Sequence, residues 1–167
     1  WMSTLGDLEA VFPFGDLQFD SEGSQTYTVE ANWKLYIDNY LEGFHIPTVH
    51  KSLAAALNVA EYRVETMPHG SLQVGVVSPG QPVLPFPDGH PMCGQSVGAL
   101  YFHLFPNTLV NIYPWGISMN HVNPCGPTRT EVNFLPYVWR PDLLNQGAGA
   151  DLHRVELEDE EVVEATQ

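Results

Sequence analysis

Across positions 32–44 the apolar residues of this chain recur at helical spacing, between 72 and 138 they gather in short strand-like runs, and from Asp151 helical spacing returns. In the first stretch Trp33, Tyr36, Ile37, Tyr40, Leu41 and Phe44 form one broad face, which predicts an amphipathic helix. Pro47 should end or kink it, because proline disfavours helical geometry in the residue before it. Residues 25–30 alternate as a strand does. Further strands are predicted at 72–77, 100–105, 108–113, 116–122 and 130–138, joined by short turns containing Pro, Asn or Gly, and this close spacing suggests an antiparallel meander. Residues 1–24 read as an irregular lead-in, and 78–91, with five prolines and two glycines, as a long loop. Strands between flanking helices give an α+β domain. The 167 residues suit one domain, since about 150 residues suffice to bury roughly 70% of the unfolded surface.

Charge narrows the function. Twenty acids against six bases leave a formal charge of -14, which repels phosphate backbones and excludes nucleic acid as a partner. Seven of the 20 acids fall between positions 151 and 164. No run of about 18 apolar residues occurs, so no membrane span is expected. The start, Trp1-Met2-Ser3-Thr4, carries neither the basic region nor the apolar stretch of a signal peptide. Two cysteines, Cys93 and Cys125, are too few for a disulfide-stapled fold, and free thiols in a cytoplasmic protein are the expectation.

Two segments carry candidate chemistry. On a continuous helix Asp38, Glu42 and His45 would form an i, i+4, i+7 stripe, either a solvated polar face or part of a site. His45 and His50 would then lie about 140° apart, and only a break, such as Pro47 supplies, lets both imidazoles meet. Two histidines suit iron when a carboxylate completes the set. In the acidic tail Leu152, Val155, Asp159, Val162 and Thr166 follow a 3-4-3-4 spacing that puts Asp159 on the inward stripe, whereas Glu158, Glu160, Glu161 and Glu164 point elsewhere. A carboxylate on an apolar face costs several kcal/mol unless paired or metal-bound, so Asp159 needs a partner. His69, His90, His103 and His121 are scattered singly, and Phe102, Phe105 and Trp115 read as core before cavity lining.

The run Asn32-Trp33-Lys34 through Asp38-Asn39-Tyr40-Leu41-Glu42-Gly43-Phe44-His45-Ile46-Pro47-Thr48-Val49-His50 resembles the ligand segment of the ring-hydroxylating, Rieske-type oxygenase large subunits. Glu158-Asp159 with Val162-Val163-Glu164-Ala165-Thr166-Gln167 is similar to that family's third-ligand helix, and Phe105-Pro106-Asn107 with Asn111-Ile112-Tyr113-Pro114 to its central strands. The resemblance implies a helix-grip fold, a curved antiparallel sheet and helices around a substrate cavity. It implies Fe(2+) held by His45, His50 and Asp159, with Glu42 linking the metal to a neighbouring subunit's cluster and Asp38 near the metal. It further implies mono- or dioxygenation of an aromatic or small organic substrate, quaternary amines included. Dioxygen, a reductase or ferredoxin and a homotrimer would complete the system. The family's Rieske [2Fe-2S] cluster needs two Cys and two His, which neither Cys93-Gly94-Gln95 nor Cys125-Gly126-Pro127 offers, so 1–167 is expected to be the catalytic domain without its Rieske domain and C-terminal end. A metal-free module of the same fold and a zinc hydrolase with the same ligands are the competing readings.

Overall fold

The computed structural model describes residues 8–167; the first part of the lead-in, 1–7, lies outside the described residues. Eight antiparallel strands form one sheet: β1 (Gln18–Phe19), β2 (Gln25–Val29), β3 (Arg63–Met67), β4 (Gly70–Val76), β5 (Val97–Leu104), β6 (Thr108–Tyr113), β7 (Gly116–Pro124) and β8 (Thr130–Val138). Their order is β1-β8-β7-β6-β5-β4-β3, with β2 also paired to β8, so β4 to β8 run as the expected meander and β3 extends it. Among the described residues four α-helices complete the α+β helix-grip arrangement: α1 (Trp33–Tyr40), α2 (Ile46–Val49), α3 (Lys51–Ala56) and α4 (Leu152–Ala165). None is long and apolar enough to cross a membrane.

Side chains alternate between the faces of a strand, so register decides what each face carries. Leu72 pairs with Phe102, Leu100 with Ile112 and Ile112 with Ile117. These residues share one face, covered by Leu8 and Phe12 of the lead-in and Leu84 of the proline-rich loop. Gln73 pairs with Tyr101, Tyr101 with Asn111, and Asn111 with Ser118, a polar row across four strands on the opposite face. The helices cover that second face. Tyr36 and Ile37 of α1 and Val163 of α4 pack on Val29, Leu109, Val122 and Val132. Before α4 the chain passes so close to Trp115 that a Cβ at Gly149 would collide with the indole, whose Nε1 donates to the Gly149 carbonyl at 3.2 Å.

Three expectations change. The first helix ends at Tyr40, not Phe44, and the apolar residue at its expected end is 91% exposed. The carbonyl of Tyr40 accepts a short hydrogen bond from Gln73 Nε2, and the Phe44 N–H donates to the Glu42 carboxylate, so neither serves a further helical turn. Pro47 opens rather than ends a helix: it sits in the first turn of α2, where its missing N–H costs nothing. The break falls at His50, whose φ of -97° and ψ of 74° separate α2 from α3. Finally β3, which the alternation did not predict, is an edge strand with three exposed central residues.

Candidate metal centre

Two chain segments meet over the polar face of the sheet. His45 caps the start of α2 and His50 its end, and a four-residue helix between them brings the rings to 5.0 Å, nearly perpendicular. Asp159 reaches them from α4. Its Oδ1 lies 3.0 Å from His50 Nε2 and 3.6 Å from His45 Nε2. One donor atom from each of the three falls within 4.8 Å of the others, the one His, Cys, Asp and Glu cluster of metal-binding geometry among the described residues.

Each imidazole is held from behind. His45 Nδ1 lies 2.5 Å from Glu42 Oε1, and His50 Nδ1 lies 2.9 Å from Glu158 Oε2. A carboxylate at Nδ1 takes the N–H there and leaves the Nε2 lone pair for an ion, the arrangement common to metal-binding histidines. Glu158 is braced in turn by Arg154 Nε at 2.9 Å. Asn39 Nδ2 donates to Asp159 Oδ1 at 2.6 Å and fixes the third carboxylate. Burial works against a charged His50, yet the hydrogen bonds and charges of Asp159 and Glu158 leave its pKa raised. Burial likewise opposes ionised Glu158, but His50 and Arg154 hold its carboxyl below the usual range.

Asp38 is not part of this assembly, contrary to expectation. It is exposed on the outer side of α1. At 100° per residue Tyr36, Asn39 and Tyr40 share the inward face, and Asp38 falls about 160° from Tyr40. Asn39 holds the near-site position instead. Glu42 lies in the turn after α1, so its approach to His45 comes from that turn and not from a helical stripe. Glu158, expected to point away, contacts His50.

The cluster stands at one end of a cavity of about 70 Å³ between the sheet, α1 and α4. Its sheet wall is a hydrogen-bonded row: Tyr62 donates to Gln73 at 3.0 Å, Tyr40 to Asn111 at 2.6 Å, and Asn111 to Ser118 at 3.1 Å. Burial pushes the phenols of Tyr36, Tyr40, Tyr62, Tyr101 and Tyr113 up, so all five stay neutral at physiological pH. The sequence reading missed Glu156. This buried residue of α4 accepts a short hydrogen bond from the Tyr36 hydroxyl and one of 2.7 Å from Asn120 Nδ2. Burial, then the charge of Asp159, pushes its carboxyl up to about 7. A larger hollow of about 450 Å³ lies on the opposite face beside Arg63, His90 and Met92, remote from the three donors. Phe102 packs on that face, Phe105 is exposed, Trp115 is core, and His103 is buried with its ring 3.2 Å from the Pro106 carbonyl. Cys93 and Cys125 are both free and exposed.

A helix-covered antiparallel sheet with two histidines and a carboxylate converging at its cavity is a domain that could hold a metal ion there. The model of the ring-hydroxylating alpha subunit catalytic domain matches residues 17–167, and the chain belongs to that family. Choline monooxygenase of Arabidopsis thaliana, a chloroplastic protein, is 33% identical over 150 residues, 84% of this chain and 33% of that protein. Putrescine 2-hydroxylase of Bordetella bronchiseptica is 26% identical over 146 residues, 80% of this chain and 33% of that one. A quaternary ammonium Rieske monooxygenase, solved with L-carnitine, shares the fold with a TM-score of 0.70 and 22% identity over 96% of this chain and 41% of that chain. The chain thus spans about a third of the length of the curated relatives it matches.

Proposed function

We propose that this domain is the catalytic part of a Rieske-type non-haem iron oxygenase that hydroxylates or dealkylates a small organic amine. The observation that carries this reading is the convergence of His45 Nε2, His50 Nε2 and Asp159 Oδ1 at the end of a cavity. Two imidazole nitrogens and one carboxylate oxygen on one side suit ferrous iron and leave other coordination positions free. Iron bound there supplies the one-electron chemistry that activates dioxygen. Glu42 and Glu158 hold the two imidazoles in the tautomer that presents Nε2, and Asn39 orients Asp159. Tyr40, Gln73, Asn111 and Ser118 keep the cavity wall fixed, and the surrounding core limits entry of water. Choline, carnitine and putrescine, named in the relatives, each carry a cationic nitrogen.

Electrons are proposed to come from a [2Fe-2S] Rieske cluster on another domain, fed by a reductase or ferredoxin, within a homotrimer. Glu42 suits the link to that cluster: one carboxylate oxygen meets His45, and the turn it occupies adjoins the exposed Phe44 at the surface. The test is metal uptake. The protein should take up one ferrous ion per chain under anaerobic conditions. Replacing both His45 and His50 with Ala should abolish uptake; one-to-one iron in that double variant would overturn the assignment.

A further inference from the structure

Glu156 is the one acid of the cavity wall that the metal cluster and its carboxylate supports do not use. Its carboxylate is buried against two neutral donors, the Tyr36 hydroxyl and the Asn120 amide. No lysine or arginine lines the cavity. Two hydrogen bonds only partly offset the cost of burying such a charge, and a cation would offset the rest. Around it the wall is aromatic. The rings of Tyr101 and Tyr113 stand 6.0 Å apart at 80° and those of Tyr62 and Tyr101 6.3 Å apart, and all three line the space. The faces of neutral phenols attract ammonium groups, most strongly where water is excluded. Two buried polar atoms of the lining, Tyr101 Oη and Asn120 Oδ1, have no protein partner.

We propose that Glu156, within this tyrosine-walled cavity, is the specificity-determining anion that selects a small organic cation of the alkylammonium class as substrate. The proposal rests on the oxygenase reading and adds to it the residue that reads the charge. Size agrees. A cavity of about 70 Å³ has room for roughly five waters at about 10–15 Å³ each, enough for a trimethylammonium group. Burial raises the carboxyl to about 7, so near neutral pH an arriving cation draws it into the ionised form. An anionic substrate would meet repulsion there, and a hydrocarbon would leave the carboxylate uncompensated.

The experiment compares choline with 3,3-dimethylbutan-1-ol, which has the same shape with carbon in place of the charged nitrogen. Binding of both is measured by calorimetry on the iron-loaded protein and on Glu156→Gln, with iron content determined in parallel. The protein should bind choline at least about tenfold more tightly than the alcohol. Glu156→Gln should lose that preference by weakening choline alone, with iron content unchanged. Tyr101→Leu should also weaken choline more than the alcohol. Equal affinities in the unsubstituted protein, or no choline binding at millimolar concentration, overturn the proposal without need of any variant. Loss of iron in Glu156→Gln overturns it differently, by showing that the charge serves the metal. The oxygenase reading, which stands on iron uptake by the histidines, survives each of these results.

Discussion

The two faces of the sheet are built from the same strands and are both shut away from solvent, yet they solve opposite problems. Leu72, Val74, Leu100, Phe102 and Ile112 fill one face with aliphatic and aromatic volume and leave almost no exposed area. One residue along each strand, Gln73, Asn111, Ser118 and Asn120 line the other face, every one of them buried. A packed face gains stability from each methylene. A polar buried face gains nothing comparable, because its groups exchange water for partners at roughly equal strength. What it gains is a wall of fixed dipoles around a space, and the stability of the first face is what makes the second affordable.

The sharpest way to break the contrast is to empty the packed face. Phe102 is fully buried, and Phe102→Ala should lower unfolding free energy by about 3–5 kcal/mol in urea titrations. A loss under about 1 kcal/mol would show that the face is not a tight core. On the cavity face the sign should reverse. Folding raises the Glu156 carboxyl from 4.5 to about 7, so the folded state holds its proton more tightly and stability falls as pH rises through that interval. The cost at pH 8 is on the order of 3 kcal/mol. Glu156→Gln keeps an acceptor for Tyr36 and, with the Asn120 amide turned, a partner for its Oδ1. In metal-free protein its advantage over the unsubstituted chain should therefore grow between pH 5 and pH 8. A pH-independent difference in urea midpoints would sink this account. At the rim the effects are smaller. Glu158→Gln should weaken iron binding about 10–100-fold through the slackened His50, whereas exposed Glu161→Ala should leave affinity unchanged and stability within about 0.5 kcal/mol. Equal loss of affinity in the two variants would remove the special place given to Glu158.

Much of this architecture was readable from alternation alone. The strands at 108–113 and 130–138 match in both limits, and α4 begins one residue after Asp151. That His45 and His50 meet was expected for the wrong reason, since Pro47 opens α2 and the break falls at His50, whereas the inward stripe did place Asp159 beside them. The failures share a cause. Alternation shows that Gln73 and Asn111 face away from Leu72 and Ile112, but it cannot say whether the other side is water or an enclosed cavity. Glu156 failed in the same way. It lies about 60° around α4 from Asp159, as near the inward face as Val162 on the other side, but among neighbouring acids it reads as one more solvated charge. The end of α1 was hidden for another reason: the group that takes the Tyr40 carbonyl, Gln73, comes from β4, more than thirty positions away.

His50 and Asp159 stand 109 positions apart, with almost the whole sheet threaded between them. Any bond between these two side chains closes a ring of that span, and closing a ring of roughly 100 residues removes about 4–5 kcal/mol of freedom from the unfolded chain in the cross-link model. An ion gripped by both is thus a reversible stitch, tying the α2 turn to the last helix and holding α4 down over the cavity. Cofactor loading and the integrity of the cavity roof become one equilibrium, read as well by a protease cutting at a loosened α4 as by turnover.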